Sequence, residues 1–121
     1  MGTNVKQKYF GAKLSELEQH GRVITQVKGM EIGIFLIDGL LYAWRNICPH
    51  AAAPVCEGRI CGTRLPSMVY EYTYGREQEI LRCPWHGWEF DLKTGVHLAD
   101  GSVKLRGYEA ICEEDNVYLM L

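Results

Sequence analysis

No stretch of this 121-residue chain has the roughly eighteen consecutive apolar residues a membrane helix needs; Asp38 breaks the best run. The opening MGTNVKQKYF lacks the apolar core of a secretory signal, and Lys6 stands where an acylation signal wants Ser or Thr. No charge of one sign dominates: 13 basic side chains stand against 15 acidic ones, a formal −2 with histidine neutral. That balance argues against wholesale binding to a nucleic-acid backbone, which draws on many Lys and Arg. No internal repeat and no low-complexity linker divides the chain. A second large catalytic domain has no room in it either. A chain of this length makes one domain, burying roughly 60–70% of its unfolded surface without staples. The expectation is one cytoplasmic domain, with no membrane and no nucleic-acid partner.

What the chain does have is five cysteines, an odd number that cannot all pair internally. Four histidines accompany them, and two stand beside cysteines, in Cys48-Pro49-His50 and Cys83-Pro84-Trp85-His86. A thiolate and an imidazole so close in sequence can ligate one metal centre from a tight turn. Pro49 and Pro84 fix the backbone angle after each cysteine, which favours a pre-set knuckle over a loose loop. Gly87 lets the chain turn sharply away behind His86. Two Cys and two His suit a tetrahedral zinc ion. They equally suit a two-iron centre with both thiolates on one iron and both imidazoles on the other. One Cys and one His per knuckle leans toward the second arrangement without excluding the first.

Around these knuckles the pattern is that of strands. Ser15 followed by Glu18 outlines a capping box for a helix of one or two turns over Lys13–Glu18, stopped by His20-Gly21. Arg22–Lys28, Glu31–Asp38 and Leu40–Arg45 read as a three-stranded meander, turned at Gly29-Met30 and Asp38-Gly39, with Phe35, Ile37, Leu41 and Trp44 as sheet core. Gly101–Glu109, with Val103 and Leu105, continues through Ala110–Cys112 to a polar turn at Glu113–Asn116. Val117–Leu121 reads as the last strand. Cys112 is expected as a small buried hydrophobe. Residues 46–94 form an excursion richer in Gly, Pro and Cys, with a Cys–His pair at each end.

The run Cys83-Pro84-Trp85-His86-Gly87-Trp88-Glu89-Phe90-Asp91 with Thr94-Gly95, preceded by Asn46-Ile47-Cys48-Pro49-His50, resembles the Rieske [2Fe–2S] family. Within it, the likeness is to the ferredoxin components and ferredoxin-like domains of ring-hydroxylating dioxygenase systems. The resemblance implies an all-β fold: a small antiparallel β-sandwich or barrel, residues 1–45 and 95–121, carrying a rubredoxin-like cluster-binding subdomain over 46–94. It implies one [2Fe–2S] cluster per chain, with Cys48 and Cys83 on the inner iron and His50 and His86 on the outer iron near solvent. Pro49, Pro84, Trp85, Gly87 and Trp88 would surround and shield that cluster. The implied activity is one-electron transfer from a reductase donor to an oxygenase acceptor, the chain itself being no enzyme. After the cluster ligands are spent, no two-histidine, one-carboxylate set remains for a mononuclear iron site. A redox-sensing or accessory protein, and a zinc-stabilised binding module, are the alternatives.

Two departures from the family pattern matter. Trp85 stands where the respiratory branch has a cysteine, so no disulfide bridges the loops. Trp88 and Phe90 stand where that branch offers hydroxyls to the sulfurs, which implies a potential at the low end of the Rieske range, about −150 to +300 mV. The spacer from His50 to Cys83 is long, 32 residues, with extra material near 62–76. In it Leu65-Pro66-Ser67 reads as a turn. Met68–Tyr74 alternates so that Tyr70, Tyr72 and Tyr74 share one strand face, either in an added hairpin or as a docking flap for a partner. Cys56, Cys61 and Cys112 are expected as free thiols. His20 and His97, with no metal-spaced cysteine, are expected on the surface or in loops.

Overall fold

The computed structural model describes residues 6–49, 53–65, 73–84 and 87–121, with side chains placed except over 61–65 and 73–79. Nearly all of the regular structure is antiparallel β, and it falls into two compact units. One comprises the chain up to Asn46 together with Arg106–Leu121; the other is Ile47–Leu105.

In the first unit, β1 (Lys8–Lys13) is followed by α1 (Leu14–His20), then β2 (Arg22–Val27), β3 (Met30–Ile37) and β4 (Leu40–Arg45). The meander β2-β3-β4 is as expected, except that its first turn is Lys28-Gly29 and not Gly29-Met30, since Met30 already pairs with Val27. Its two turns, Lys28-Gly29 and Asp38-Gly39, have all four residues at positive φ, between 52° and 79°, the tight hairpin geometry whose twist matches the strands. The chain returns to this unit as β8 (Gly107–Glu113) and β9 (Asn116–Met120), counting β5, β6 and β7 in the other unit. The sheet order is β1-β9-β8-β4-β3-β2, and the end strands β1 and β2 touch, so the six strands come near to closing a barrel. Ile32, Ile34, Ala43, Val117, Leu119 and Leu17 fill its interior, each almost wholly buried.

Several expectations needed correction here. The strand over Lys8–Lys13 was not legible, because K-Y-F-G-A-K has no clean alternation; pairing with β9 makes it one. The helix is capped two residues earlier than the Ser15–Glu18 pattern implied, at Lys13. Lys13 N donates to Glu16 Oε1, while Ser15 donates through both its N and its Oγ to the Asp115 carboxylate. Gly101–Glu109 is not one strand: pairing with β4 begins only at Gly107. Phe35, Ile37 and Trp44 are buried as expected, whereas Leu41 is half-buried. Cys112 is exposed, not buried: it stands at the end of β8, beside the turn, with its thiol donating to the Glu114 carbonyl.

The second unit is built on a three-stranded sheet of β5 (Arg59–Leu65), β6 (Thr73–Arg82) and β7 (Glu89–Asp91), preceded by a single 3-10 turn at Val55–Glu57. Strands β5 and β6 pair from Arg59↔Arg82 to Leu65↔Thr73, with a register shift between Cys61 and Thr63. The spacer therefore carries a hairpin. Tyr74 lies in it opposite Arg64, while Tyr70 and Tyr72 fall outside the described residues.

Candidate metal centre

The second unit holds both knuckle cysteines. Cys48 and Cys83 are essentially solvent-free, at 0% and 1% exposure, and neither is in a disulfide. Each begins a turn that its own backbone closes. Cys48 N donates to Ala53 O at 2.8 Å. Cys83 N donates to Trp88 O at 2.7 Å, and Gly87 N donates back to Cys83 O at 3.0 Å. Gly87 takes φ 72°, the left-handed conformation that a side chain resists and the sharp turn after His86 requires. Pro49 and Pro84, next to the buried thiols, are exposed. Each turn thus presents a buried sulfur from a pre-set loop.

Neighbouring segments brace these turns. Gly58 lies so close to the end of β6 that a Cβ on it would stand 1.8 Å from the Arg82 carbonyl oxygen. Only glycine permits that approach, and Arg82 is the residue before Cys83. Buried Val55 and Cys56 lie in the turn just before it. On the other side of the loop, β7 pairs with β6 through Arg82↔Glu89, and the two side chains form an ion pair at 3.1 Å.

The Asp91…Thr94-Gly95 run is a self-contained turn. Asp91 Oδ1 accepts from Lys93 N and Thr94 N, and Asp91 O accepts from Gly95 N at 2.7 Å. The chain then returns alongside β7, bringing His97 opposite Phe90. His97 lies outside the named strands, as the loop position expected for it allows, but it is buried and not on the surface. Its ring stacks on Trp88, with centroids 4.3 Å apart, and tilts against Phe90 at 5.2 Å. Pairing of segments several residues apart creates this burial, so only the alternation Val96-His97-Leu98 after Thr94-Gly95 hinted at it. A shallow cleft of about 270 Å³ opens beside the stack, lined by Gly87, Trp88, Glu89, His97, Leu98 and Ala99.

Of the four expected ligands, Cys48 and Cys83 are therefore placed, and His50 and His86 lie outside the described residues, as does Trp85. Among the described residues no group of three or more His, Cys, Asp or Glu side chains is gathered to hold a metal ion.

The model of the Rieske [2Fe–2S] domain family matches residues 7–109, which contain both cysteine turns and most of the strands. The chain belongs to the Rieske family. A relative from Ralstonia sp, the ferredoxin component of naphthalene 1,2-dioxygenase/salicylate 5-hydroxylase systems, is 30% identical over 91% of both chains. The naphthalene 1,2-dioxygenase ferredoxin component of Pseudomonas aeruginosa is 33% identical over 70% of this chain and 66% of its own. Among solved structures, the ferredoxin of carbazole 1,9a-dioxygenase from Nocardioides aromaticivorans IC177 superimposes with a TM-score of 0.68. It covers 96% of this chain and 97% of its own at 19% identity, a likeness of fold.

Membership of the Rieske family implies a [2Fe–2S] cluster. The described residues fit one: two buried thiols free of disulfides, each in a backbone-closed turn of the same unit. Cys56, also buried and in no disulfide, lies in a 3-10 turn, and Cys112 lies in the other unit. No described helix is long and apolar enough to cross a membrane.

Proposed function

We propose that this Rieske protein is a one-electron carrier, the ferredoxin component of a ring-hydroxylating oxygenase system, and not itself an enzyme. It takes an electron from a reductase and passes it to an oxygenase. The observation that carries this reading is the pair of buried, turn-closed cysteines, in a chain whose relative along nine-tenths of its length is such a component.

On this reading Cys48, Cys83, His50 and His86 hold one [2Fe–2S] cluster, and residues 46–94 act as a rubredoxin-like cluster-binding subdomain. The cluster, when bound, stores a single electron; with its two thiolates it goes from neutral to −1. The chain's own work is to hold and shield it. Cys48 and Cys83 keep their sulfurs from water, and the fixed turns leave little to reorganise when the charge changes. Trp88, Pro49, Pro84, Gly87 and Trp85 supply the surrounding wall.

Partners meet the protein on the side of the histidine ligands. Apolar Ile47 and Leu98, 41% and 39% exposed, lie in the same unit as the loops, and exposed apolar surface of that kind favours association. The spacer tyrosines Tyr70, Tyr72 and Tyr74 would add large contact area at modest entropic cost. A formal charge of −2 that moves by only one unit on reduction leaves docking independent of a strongly charged face.

Replacing His50 or His86 by Ala is the direct test. Each variant should lose the visible absorption and the reduced-state spin signal of the wild-type protein. A variant with an unchanged spectrum would remove that histidine from the ligand set.

A further inference from the structure

The Nδ1 of His97 is buried and has no hydrogen-bond partner among the described residues. A buried polar nitrogen left unpaired is costly, so such an atom calls for a partner that the described residues do not supply. The carboxylates near it in sequence and structure are engaged elsewhere. Glu89 pairs with Arg82, Asp91 Oδ1 accepts from Lys93 N and Thr94 N, and Asp100 Oδ1 accepts from Ser102. The imidazole is also held firmly. It stacks on Trp88 and leans on Phe90, and its backbone N donates to Val103 O at 2.9 Å. Trp88 in turn accepts the hydrogen bond of the Cys83 backbone N–H. His97 therefore sits one residue removed from a cysteine turn, with an unused polar atom.

We propose that the Nδ1–H of His97 is a hydrogen-bond donor to the sulfur atoms of the bound cluster. The inference rests on the Rieske reading above. Sulfur in a [2Fe–2S] centre is an acceptor whose negative charge grows on reduction, and hydrogen bonds to it are one of the levers that set its potential. Neither Trp88 nor Phe90 carries a hydroxyl, so His97 supplies, from the segment that returns beside β7, a donor group that a hydroxyl at these two positions would otherwise provide. A donor of this kind stabilises the reduced state more than the oxidised one, and so raises the midpoint potential. His97 would be a positioning and tuning residue, not a ligand.

The test compares iron-loaded wild type with His97→Phe, which keeps a ring for the stack and removes Nδ1. Iron and sulfide are counted first, and midpoint potentials are measured next. Pulsed electron resonance is then recorded on both reduced proteins labelled with 15N-histidine. The expected result is two irons and two sulfides in each, a more negative midpoint in His97→Phe, and loss of one weakly coupled nitrogen. An unchanged or more positive midpoint with no lost coupling overturns the proposal and makes His97 a packing residue beside a buried water. Should His97→Phe fail to hold the cluster, His97→Asn, which retains a side-chain N–H, decides it. The proposal then requires His97→Asn to keep the wild-type potential more closely than His97→Leu, and a midpoint shared by the two overturns it. Wild type without iron and sulfide would refute the cluster itself, an outcome distinct from any change confined to residue 97.

Discussion

A thiol buried in a folded domain is ordinarily inert packing, and what separates Cys48 and Cys83 from Cys56 is the turn each one begins. That turns begin at those two residues, with a proline after each and Gly87 closing the second, was legible from residue type and spacing. The alternation of ring and backbone that buries His97 was not. Burial there comes from the bridge between His97 and Phe90 of β7 across the Asp91–Gly95 turn, a contact that residue type alone does not announce. Cys112 failed for a different reason: it pairs with buried Val117, in step with the inward-facing residues of β8, but stands at the end of the strand, beside the turn, where solvent reaches it. One charge at this scale has a consequence for acid stability. The Ser102 hydroxyl, and then its backbone N–H, hold the Asp100 carboxyl below the usual carboxylate range. A lowered folded value stabilises the native turn at neutral pH, and that contribution is lost as the pH falls through the lowered value. Asp100→Asn should therefore narrow the difference in denaturation midpoint between neutral pH and strong acid. An equal difference in wild type and variant would show that Asp100 contributes nothing.

Among elements, the meander β2-β3-β4 was readable because Asp38-Gly39 and alternating apolar residues act locally and agree with the global sheet. β1 exists only because β9 pairs with it, and α1 is capped through Glu16 and Asp115, a residue 100 positions away from Ser15. Such cross-chain support is invisible to a window of neighbours. The long spacer is the element whose role matters most. Its strands β5 and β6 pair over most of their length, and their inner ends run beside Gly58 and Arg82 at the Cys83 turn. The far end, beyond Cys61, lies on the other side of the register shift. Deleting residues 63–75 should leave the cluster bound and slow reduction by the partner reductase. Loss of iron and sulfide from the deletion protein would instead make the hairpin a structural support of the cluster loops.

At the scale of the whole molecule, the chain pairs a near-closed six-stranded sheet with a smaller unit that carries both cysteine turns. Its electrochemistry should follow from the composition of that smaller unit. Trp88 and Phe90 offer no hydroxyl to sulfur, and fewer hydrogen bonds stabilise the reduced state less, so the midpoint should lie in the lower part of the Rieske range of about −150 to +300 mV. A redox titration giving a midpoint above about +200 mV would contradict that. Beneath the potential, the partners and the tuning lies one claim, that this fold holds a Rieske cluster. Iron and acid-labile sulfide counts on the purified protein, with the low-temperature spin spectrum of its reduced form, test it most directly. Two irons and two sulfides per chain with a strongly anisotropic signal are the predicted result, and a colourless protein with one zinc per chain would contradict it.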